Sequence, residues 1–204
     1  MQVAPRIYLA SKSPRRRELL TQIGVRFDLM LFRNSPREDP ATDETPLPGE
    51  PPLDYCKRVA GEKARHGVRL VGLRRISPRP VLAADTTLDV DGEIVGKPTD
   101  ETNAAAILQR LSGRTHRVIT AVALADGARF ECIAQVSEVR FRELNQEEIR
   151  RYVISGEPMD KAGAYGIQGR AGMFVEEIRG SYSGIAGLPL CETTLLLRRF
   201  GHPI

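Results

Sequence analysis

The sequence of 204 residues contains little cysteine. Its three cysteines, Cys56, Cys132 and Cys191, are odd in number and far apart in the chain. No two of them have the close spacing of a zinc site, and such a scattered set does not make the disulfide framework of a small secreted domain. The scarcity excludes a fold held together by disulfides or zinc, and it predicts a protein of the reducing cytoplasm.

Long apolar runs are also missing. Only a very short apolar stretch precedes Ser11, and no segment approaches the roughly 20 apolar residues that a membrane span needs. The sequence therefore predicts neither export nor a membrane partner.

Aromatic residues are few, at 5% of the chain, and tryptophan is absent. A platform for stacking single-stranded bases therefore lacks its usual material. The net charge is +4, but the 30 Lys and Arg residues are scattered among 26 Asp and Glu residues. This pattern is typical of a solvated surface, so the sequence predicts no stable complex with nucleic acid.

Strand-like and helix-like segments alternate along the whole chain, without repeats or low-complexity linkers. Apolar runs predict strands at 6–10, 27–32, 81–84, 88–95, 118–124, 130–141 and 174–178. Helical periodicity and capping residues predict helices at 14–22, 53–68, 100–111, 145–155 and 188–200. The segment 34–52 should be irregular. The alternation predicts one domain over 1–204, of the α/β or α+β class with a mixed sheet, in which the hairpin at 118–141 could form a second lobe beside a ligand cleft.

The first informative motif is the basic segment from Ser11 to Arg17. If Ser13 caps a helix that begins at Pro14, then Arg15 and Arg16 lie in the first turn, where the helix dipole disfavours cations by about 0.3 to 1 kcal/mol each. A bound polyphosphate would compensate this cost, because free N–H groups, serine hydroxyls and guanidinium groups together form an anion site. An ordinary capped helix with solvated arginines fits this segment equally well.

The second motif contains Asp85 and Lys97. Asp85 follows an apolar strand, a position from which a carboxylate can hold a divalent metal or accept a proton from water. Lys97 follows the predicted hairpin and could return to the same opening to neutralise phosphate charge. Each residue alone is as readily explained by a turn or a solvated loop.

The third motif is the glycine-rich segment 157–169. Its glycines allow the backbone to approach a ligand, while Lys161, Tyr165 and Gln168 offer a charge, a ring and an amide. It is neither a Walker loop nor a dinucleotide fingerprint. A glycine-rich structural loop is the alternative.

Two acidic or mixed pairs, Asp43-Glu44 and Glu62-Lys63, are ordinary surface pairs when taken alone. The three histidines, at positions 66, 116 and 202, are isolated and fit no metal or triad spacing. A histidine-dependent hydrolase is therefore a poor explanation of the chain.

Taken together, five segments resemble, in the same order, those of the Maf family of nucleotide pyrophosphatases. They are SKSPRRRELL, ADTTLDVDGEIVGKP, LSGRTH, GEPMDKAGAYGIQG and GLPL, and the resemblance extends over essentially the whole chain. The resemblance implies a cytoplasmic enzyme that cleaves a nucleoside triphosphate between the α and β phosphates with Mg²⁺ or Mn²⁺. It also implies a two-lobed α/β fold around a twisted mixed sheet with flanking helices, similar to inosine triphosphatase, and a homodimer.

The resemblance also implies roles for individual residues. Asp85 would be the catalytic base and a metal ligand, and Glu44 the second acid that holds metal. The residues expected to bind substrate or to set specificity are Ser11, Ser13, Arg15, Arg16, Lys63, Thr86, Lys97, Lys161 and Gln168. Because the segment 33–52 is longer than the family pattern, Glu38 or Asp43 could replace Glu44.

The family has one branch that acts on dTTP and UTP and another that acts on 7-methyl-GTP. This chain has Arg15 where the second branch has tryptophan, and it keeps Thr86 and the full third motif with Gln168, so it resembles the dTTP/UTP branch. CTP and modified pyrimidine nucleotides remain open as substrates, as does the number of metal ions. Two other functions also remain open: a regulatory protein that senses nucleotides without hydrolysing them, and a basic nucleic-acid binder, which the scattered charge disfavours.

Overall fold

The computed structural model describes residues 5–32 and 43–204. The strands in these residues are β1 (Ile7–Leu9), β2 (Phe27–Leu29), β3 (Val81–Val90), β4 (Glu93–Val95), β5 (Thr115–Asp126), β6 (Arg129–Phe141) and β7 (Val175–Arg179). The helices are α1 (Pro14–Gln22), α2 (Pro52–Leu73), α3 (Glu101–Leu111), α4 (Gln146–Ile154), α5 (Tyr182–Ile185) and α6 (Leu190–Arg199), and 3₁₀ turns cover Glu157–Asp160, Ala162–Ala164 and Arg170–Phe174. None of these helices is both long enough and apolar enough to cross a membrane.

The seven strands form one mixed sheet. Its order is β2-β1-β3-β5-β6-β7, and β4 also pairs with β3. Strand β1 is parallel to β2 and β3, whereas β3, β5, β6 and β7 are successively antiparallel and β4 is antiparallel to β3. The predicted α/β class, a mixed sheet with flanking helices, is confirmed.

Helix α1 begins where the capping pattern predicts. The Ser13 hydroxyl accepts a hydrogen bond from the Arg16 backbone N–H at 3.4 Å, and Gly24 follows the helix with a φ of +72°. The same reasoning succeeds at α4, where Asn145 and Glu148 form a capping box. In both helices the local sequence is sufficient to fix the start.

Several elements differ from the prediction. Strand β3 runs unbroken through 85–87, because the β-branched Thr86 and Thr87 suit an extended backbone and β5 pairs with the whole segment. Strand β2 is shorter than predicted, α2 begins one residue earlier and continues to Leu73, and the short helix α5 was not predicted at all.

The core lies on both faces of the sheet. On one face α2 packs against the alanines of β3 and β5, which are Ala83, Ala121, Ala123 and Ala125. Gly67 in α2 lies so near the sheet that an added Cβ would be 2.5 Å from the Val81 side chain. The opposite face carries larger side chains and packs against α1, α3, α4 and α6. Small residues therefore bring α2 unusually close to the middle of β3.

Substitution of Gly163 tests how tightly the glycine-rich segment packs on the sheet. Its φ is +69°, and an added Cβ would lie 2.1 Å from a Leu88 methyl carbon in the core. We expect Gly163→Ala to lower the free energy of unfolding by about 2 to 5 kcal/mol, from left-handed backbone strain and overpacking together. Urea denaturation followed by circular dichroism measures this change.

Gly92→Ala is the matched control. Gly92 has a φ of +85° with nothing within 4 Å of an added Cβ, so only the backbone strain of about 1 to 2 kcal/mol applies. Equal losses in the two variants would show that the contact with Leu88 contributes nothing.

Candidate active site

A cavity opens where strand β3 changes neighbours on one edge. On that edge β1 pairs with Val81 and Leu82, and β4 pairs only from Leu88 onward, while β5 covers the other edge from Val81 to Asp89. Among the described strands, none pairs with 83–87 on the open edge. The cavity there has a volume of about 780 Å³. The sequence predicted Asp85 at the end of a strand, and that position is wrong because Asp85 lies inside β3. The gap between β1 and β4 on this edge, here called the divided edge, still gives a ligand access to it.

All the residues predicted for the site line this one cavity. They are Ser11, Ser13, Arg15, Arg16, Glu44, Lys63, Asp85, Thr86, Lys97, Lys161 and Gln168. Of the two alternatives to Glu44, Asp43 is exposed and accepts a hydrogen bond from the Thr45 backbone N–H at 2.9 Å, while Glu38 lies outside the described residues. Of Asp43 and Glu44, only Glu44 lines the cavity.

Two carboxylates meet at one ammonium group. Lys63 Nζ lies 2.9 Å from Asp85 Oδ1 and 2.9 Å from Glu44 Oε1. Asp85 points toward α2, on the same face of β3 as Ala83, and α2 supplies Lys63. The side chains of Lys63 and Asp85 are 13% and 10% exposed, whereas that of Glu44 is 51% exposed. The two acids therefore face a common point that already holds a positive charge.

Two neighbouring residues of α2, which the sequence analysis missed, support this pair. The Tyr55 hydroxyl donates to the Glu44 carbonyl at 2.9 Å, and the Cys56 thiol lies 3.3 Å from the Asp85 carbonyl. Burial and the nearby Asp85 charge raise the pKa of both groups, so each stays protonated and can donate. Neither residue has a local sequence signal, because both belong to an ordinary amphipathic helix.

Arg16 is half-buried between α1 and β3, and its guanidinium donates to three acceptors of the protein. Nε donates to the Gly187 carbonyl at 2.9 Å, Nη1 to the Ser11 hydroxyl at 3.3 Å and Nη2 to the Thr86 hydroxyl at 3.2 Å. A guanidinium has five N–H donors in a rigid plane, so two remain for a ligand once the contacts with described residues are counted. Burial lowers the pKa of Arg16, and the charge of Asp85 opposes that shift. The first turn of α1 contains no acid of its own, and Arg15 Nη1 lies 3.9 Å from the exposed carboxylate of Asp160. A bound anion at this helix start stays a prediction.

The loop that carries Gln168 is held by Glu157 and Lys161. The Glu157 carboxylate accepts hydrogen bonds from the Tyr152 hydroxyl at 3.0 Å and the Arg170 backbone N–H at 3.2 Å. Lys161 Nζ donates to the Glu157 carbonyl at 2.5 Å and pairs with Asp160 at 2.7 Å. The ammonium of Lys161 is thus engaged within the loop. We therefore interpret this residue primarily as a support for the loop and only secondarily as a ligand contact.

Lys97 and Gln168 are, together with Glu44, the exposed residues of the predicted site. Both line the cavity, and they come from two separate segments of the chain, the loop after β4 and the glycine-rich segment. Within residues 5–32 and 43–204 their side chains make no hydrogen bond or ion pair, so their polar groups are available to a ligand.

Comparison with known proteins places this site in a family. A family model described as "Maf-like protein" matches residues 6–200. A dTTP/UTP pyrophosphatase of Dechloromonas aromatica is 61% identical over 96% of this chain and 98% of its own, and one of Aromatoleum aromaticum is 61% identical over 99% and 98%. A dTTP/UTP pyrophosphatase of Cupriavidus pinatubonensis is 53% identical over 95% and 96%.

Among solved structures, the Staphylococcus aureus Ham1 protein aligns with a TM-score of 0.45 and 13% identity, over 67% of this chain and 72% of that one. The family match covers nearly the whole chain and includes every residue that lines the cavity. The relatives cover it equally fully. The chain therefore belongs to the Maf family.

Proposed function

We propose that the chain hydrolyses dTTP and UTP to the monophosphate and pyrophosphate, by attack of water on the α-phosphorus. The observation that carries the proposal is one cavity in which two carboxylates face a lysine ammonium and a fixed arginine keeps two donors for a ligand. The relatives named dTTP/UTP pyrophosphatase, at 61% identity over nearly the whole chain, support the same activity here.

The cations of the cavity supply the triphosphate site. The start of α1 offers backbone N–H groups beside Ser11 and Ser13, and Arg16 offers two free donors in a fixed plane, which suits bidentate contact with phosphate. Lys97 adds, from the loop after β4, an ammonium that pairs with no described residue. These groups stabilise the charge that accumulates on the phosphates during cleavage.

The acids of the cavity fit a Mg²⁺ or Mn²⁺ ion. Oxygens of Asp85 and Glu44 both approach the Lys63 ammonium at 2.9 Å, so they converge on one cation position, and carboxylate oxygens are the donors these ions prefer. In the described part of the chain no three acids, histidines or cysteines lie together, so phosphate oxygens and water would complete the coordination. When bound, the ion would neutralise phosphate charge and polarise the reacting phosphoryl group.

Asp85 is placed to accept a proton from water. Its Oδ1 accepts a hydrogen bond from Lys63, while Oδ2 makes no hydrogen bond within the described residues and is available to the attacking water. The Asp85 backbone is fixed in β3 by β5 and approached by the Cys56 thiol. A base held this firmly needs little reorganisation when the substrate arrives.

Recognition of the base is assigned to Gln168 and Arg15. The Gln168 amide offers both a donor and an acceptor to a base edge, and Arg15 lines the same cavity. Leu88, Ile94 and Val118 provide apolar surface for a pyrimidine ring. These features support the dTTP/UTP preference over a methylated guanine.

Further properties expected from the sequence and from the resemblance stay predictions. They are a single domain with two lobes, a homodimer, a cytoplasmic location and the absence of a nucleic-acid partner. None of them is needed for the chemistry proposed here, because each group in the mechanism comes from one chain.

A panel of nucleoside triphosphates tests the proposed activity. With Mg²⁺ or Mn²⁺ we expect monophosphate and pyrophosphate from dTTP and UTP, with turnover of 7-methyl-GTP lower by at least about tenfold, the effect of one well-placed polar contact. Both products are measured by anion-exchange chromatography. Preference for 7-methyl-GTP would overturn the roles of Arg15 and Gln168, and binding without turnover would favour a nucleotide sensor.

Asp85→Asn tests the base. We expect kcat for dTTP to fall by about 10² to 10⁴, the usual contribution of a general base, while calorimetry still detects nucleotide binding. Asp91→Asn, the same change in the exposed turn between β3 and β4, is the control and should keep the wild-type kcat. Near-normal activity of Asp85→Asn would exclude Asp85 as the base.

Gly169→Ala tests the loop that carries Gln168. An added Cβ would lie 2.0 Å from Glu157 Oε1, and the Glu157 carboxylate is fixed by its other hydrogen bonds. The loop must therefore shift, and we expect KM for dTTP and UTP to rise about tenfold, the loss of one positioned hydrogen bond. Gly72→Ala, with nothing within 4 Å of the added Cβ, is the control. An unchanged KM in Gly169→Ala would rule out this role of the loop.

A further inference from the structure

The hydroxyl of Thr86 contacts both Arg16 in the cavity and a second threonine on the neighbouring strand. Thr86 in β3 lies directly opposite Thr120 in β5, and their hydroxyl oxygens are 2.9 Å apart. Thr120 is fully buried, and its oxygen lies 2.7 Å from the Gly184 carbonyl in α5. Thr120 does not line the cavity. It is therefore one step removed from any ligand.

The protons on these hydroxyls can point in only one direction. A carbonyl can only accept, so the single proton of Thr120 goes to Gly184. Thr86 must then donate its own proton to Thr120, which leaves only lone pairs on the Thr86 oxygen facing Arg16. The guanidinium can only donate, and its Nη2 does so at 3.2 Å. The chain of hydrogen bonds runs from Arg16 through Thr86 and Thr120 to Gly184.

Both ends of this series of hydrogen bonds are attached to the same short segment of the backbone, 184–187. The Gly184 carbonyl receives the last hydrogen bond, and the Gly187 carbonyl, three residues later, accepts from Arg16 Nε. The guanidinium plane is thus fixed by acceptors on β3 and on the segment around α5. Its orientation determines where the two free N–H groups of Arg16 point.

We infer that Thr120 is a positioning residue for Arg16, which acts by fixing the proton of Thr86 and thereby the plane of the guanidinium that meets the phosphates. The inference rests on the proposed function, because it gives Arg16 a phosphate to bind. Without the Thr120 hydroxyl, the Thr86 proton loses its acceptor. The Thr86 O–H can then rotate toward the N–H of Arg16, which weakens the hydrogen bond that Arg16 donates to the Thr86 oxygen. The Gly184 carbonyl also loses its donor, which loosens the segment that holds Nε.

A double-mutant cycle between Thr120 and Arg16 tests this inference. We expect Thr120→Val to lower kcat/KM for dTTP and to weaken binding of inorganic pyrophosphate about tenfold each. In an Arg16→Met background the same substitution should change either quantity less than twofold, because no guanidinium remains to be positioned. Thr120→Ser, which keeps the hydroxyl, should restore both quantities to within about threefold of the wild type.

The alternative is that Thr120 merely attaches β5 to α5. Equal losses in both backgrounds, no loss at all, or a Thr120→Ser variant as impaired as Thr120→Val would each overturn the inference. If Thr120→Val does not fold, Thr86→Val removes the neighbouring hydroxyl and enters the same cycle, where additive losses with Arg16→Met are again the contrary result. Binding of pyrophosphate is measured by calorimetry and does not require turnover, so failure of the proposed hydrolysis is distinguishable from failure of this inference.

Thr193→Val is the matched control. Thr193 is a fully buried threonine in α6 whose hydroxyl has no hydrogen-bond partner among the described residues. It does not line the cavity. The substitution should leave kcat/KM and pyrophosphate binding at wild-type values, and a tenfold loss there would attribute the Thr120 effect to general disturbance of the core.

Discussion

Strand β3 has one neighbour along its whole length on one edge and two different neighbours in succession on the other. The antiparallel pairing with β5 covers β3 from Val81 to Asp89, while the separation between β1 and β4 leaves 83–87 without a described partner strand on the other edge. Because side chains alternate across a strand, Asp85 points toward α2 and Thr86 toward Arg16. One segment of β3 therefore contributes side chains to two walls of the cavity, Asp85 to one and Thr86 to the other.

The charges of the cavity are arranged so that each buried charge has a partner before a ligand arrives. Lys63 lies between two carboxylates, and Arg16 is surrounded by neutral acceptors with Asp85 close enough to affect its pKa. Among the residues predicted for the site, cations outnumber carboxylates, so the cavity attracts a polyphosphate although it contains two acids. A ligand that brings its own divalent ion satisfies both sets of charges together.

Local sequence was sufficient for some elements and not for others. Caps fixed the start of α1 and α4, and alternation with an Asp-Gly pair fixed the hairpin of β5 and β6, because these signals act between near neighbours. The continuous course of β3 depends on pairing with β5, some 30 residues away, and a local pattern does not contain that information. For the same reason the sequence brought Asp85 and Lys63 together only through the resemblance to a family. It gave no sign of Thr120, which occupies an apolar strand without any local peculiarity.

The alanines beneath α2 have a consequence for attempts to stabilise this protein. Filling small core positions with larger side chains is a common route to a higher melting temperature. Here the methyl groups of Ala83 and Ala121 set the height of α2 above the sheet, and that height sets whether the Lys63 side chain can reach Asp85. A bulkier residue at either position would push α2 away from the sheet. The packing that looks easiest to improve is therefore also the spacer that keeps Lys63 within reach of Asp85.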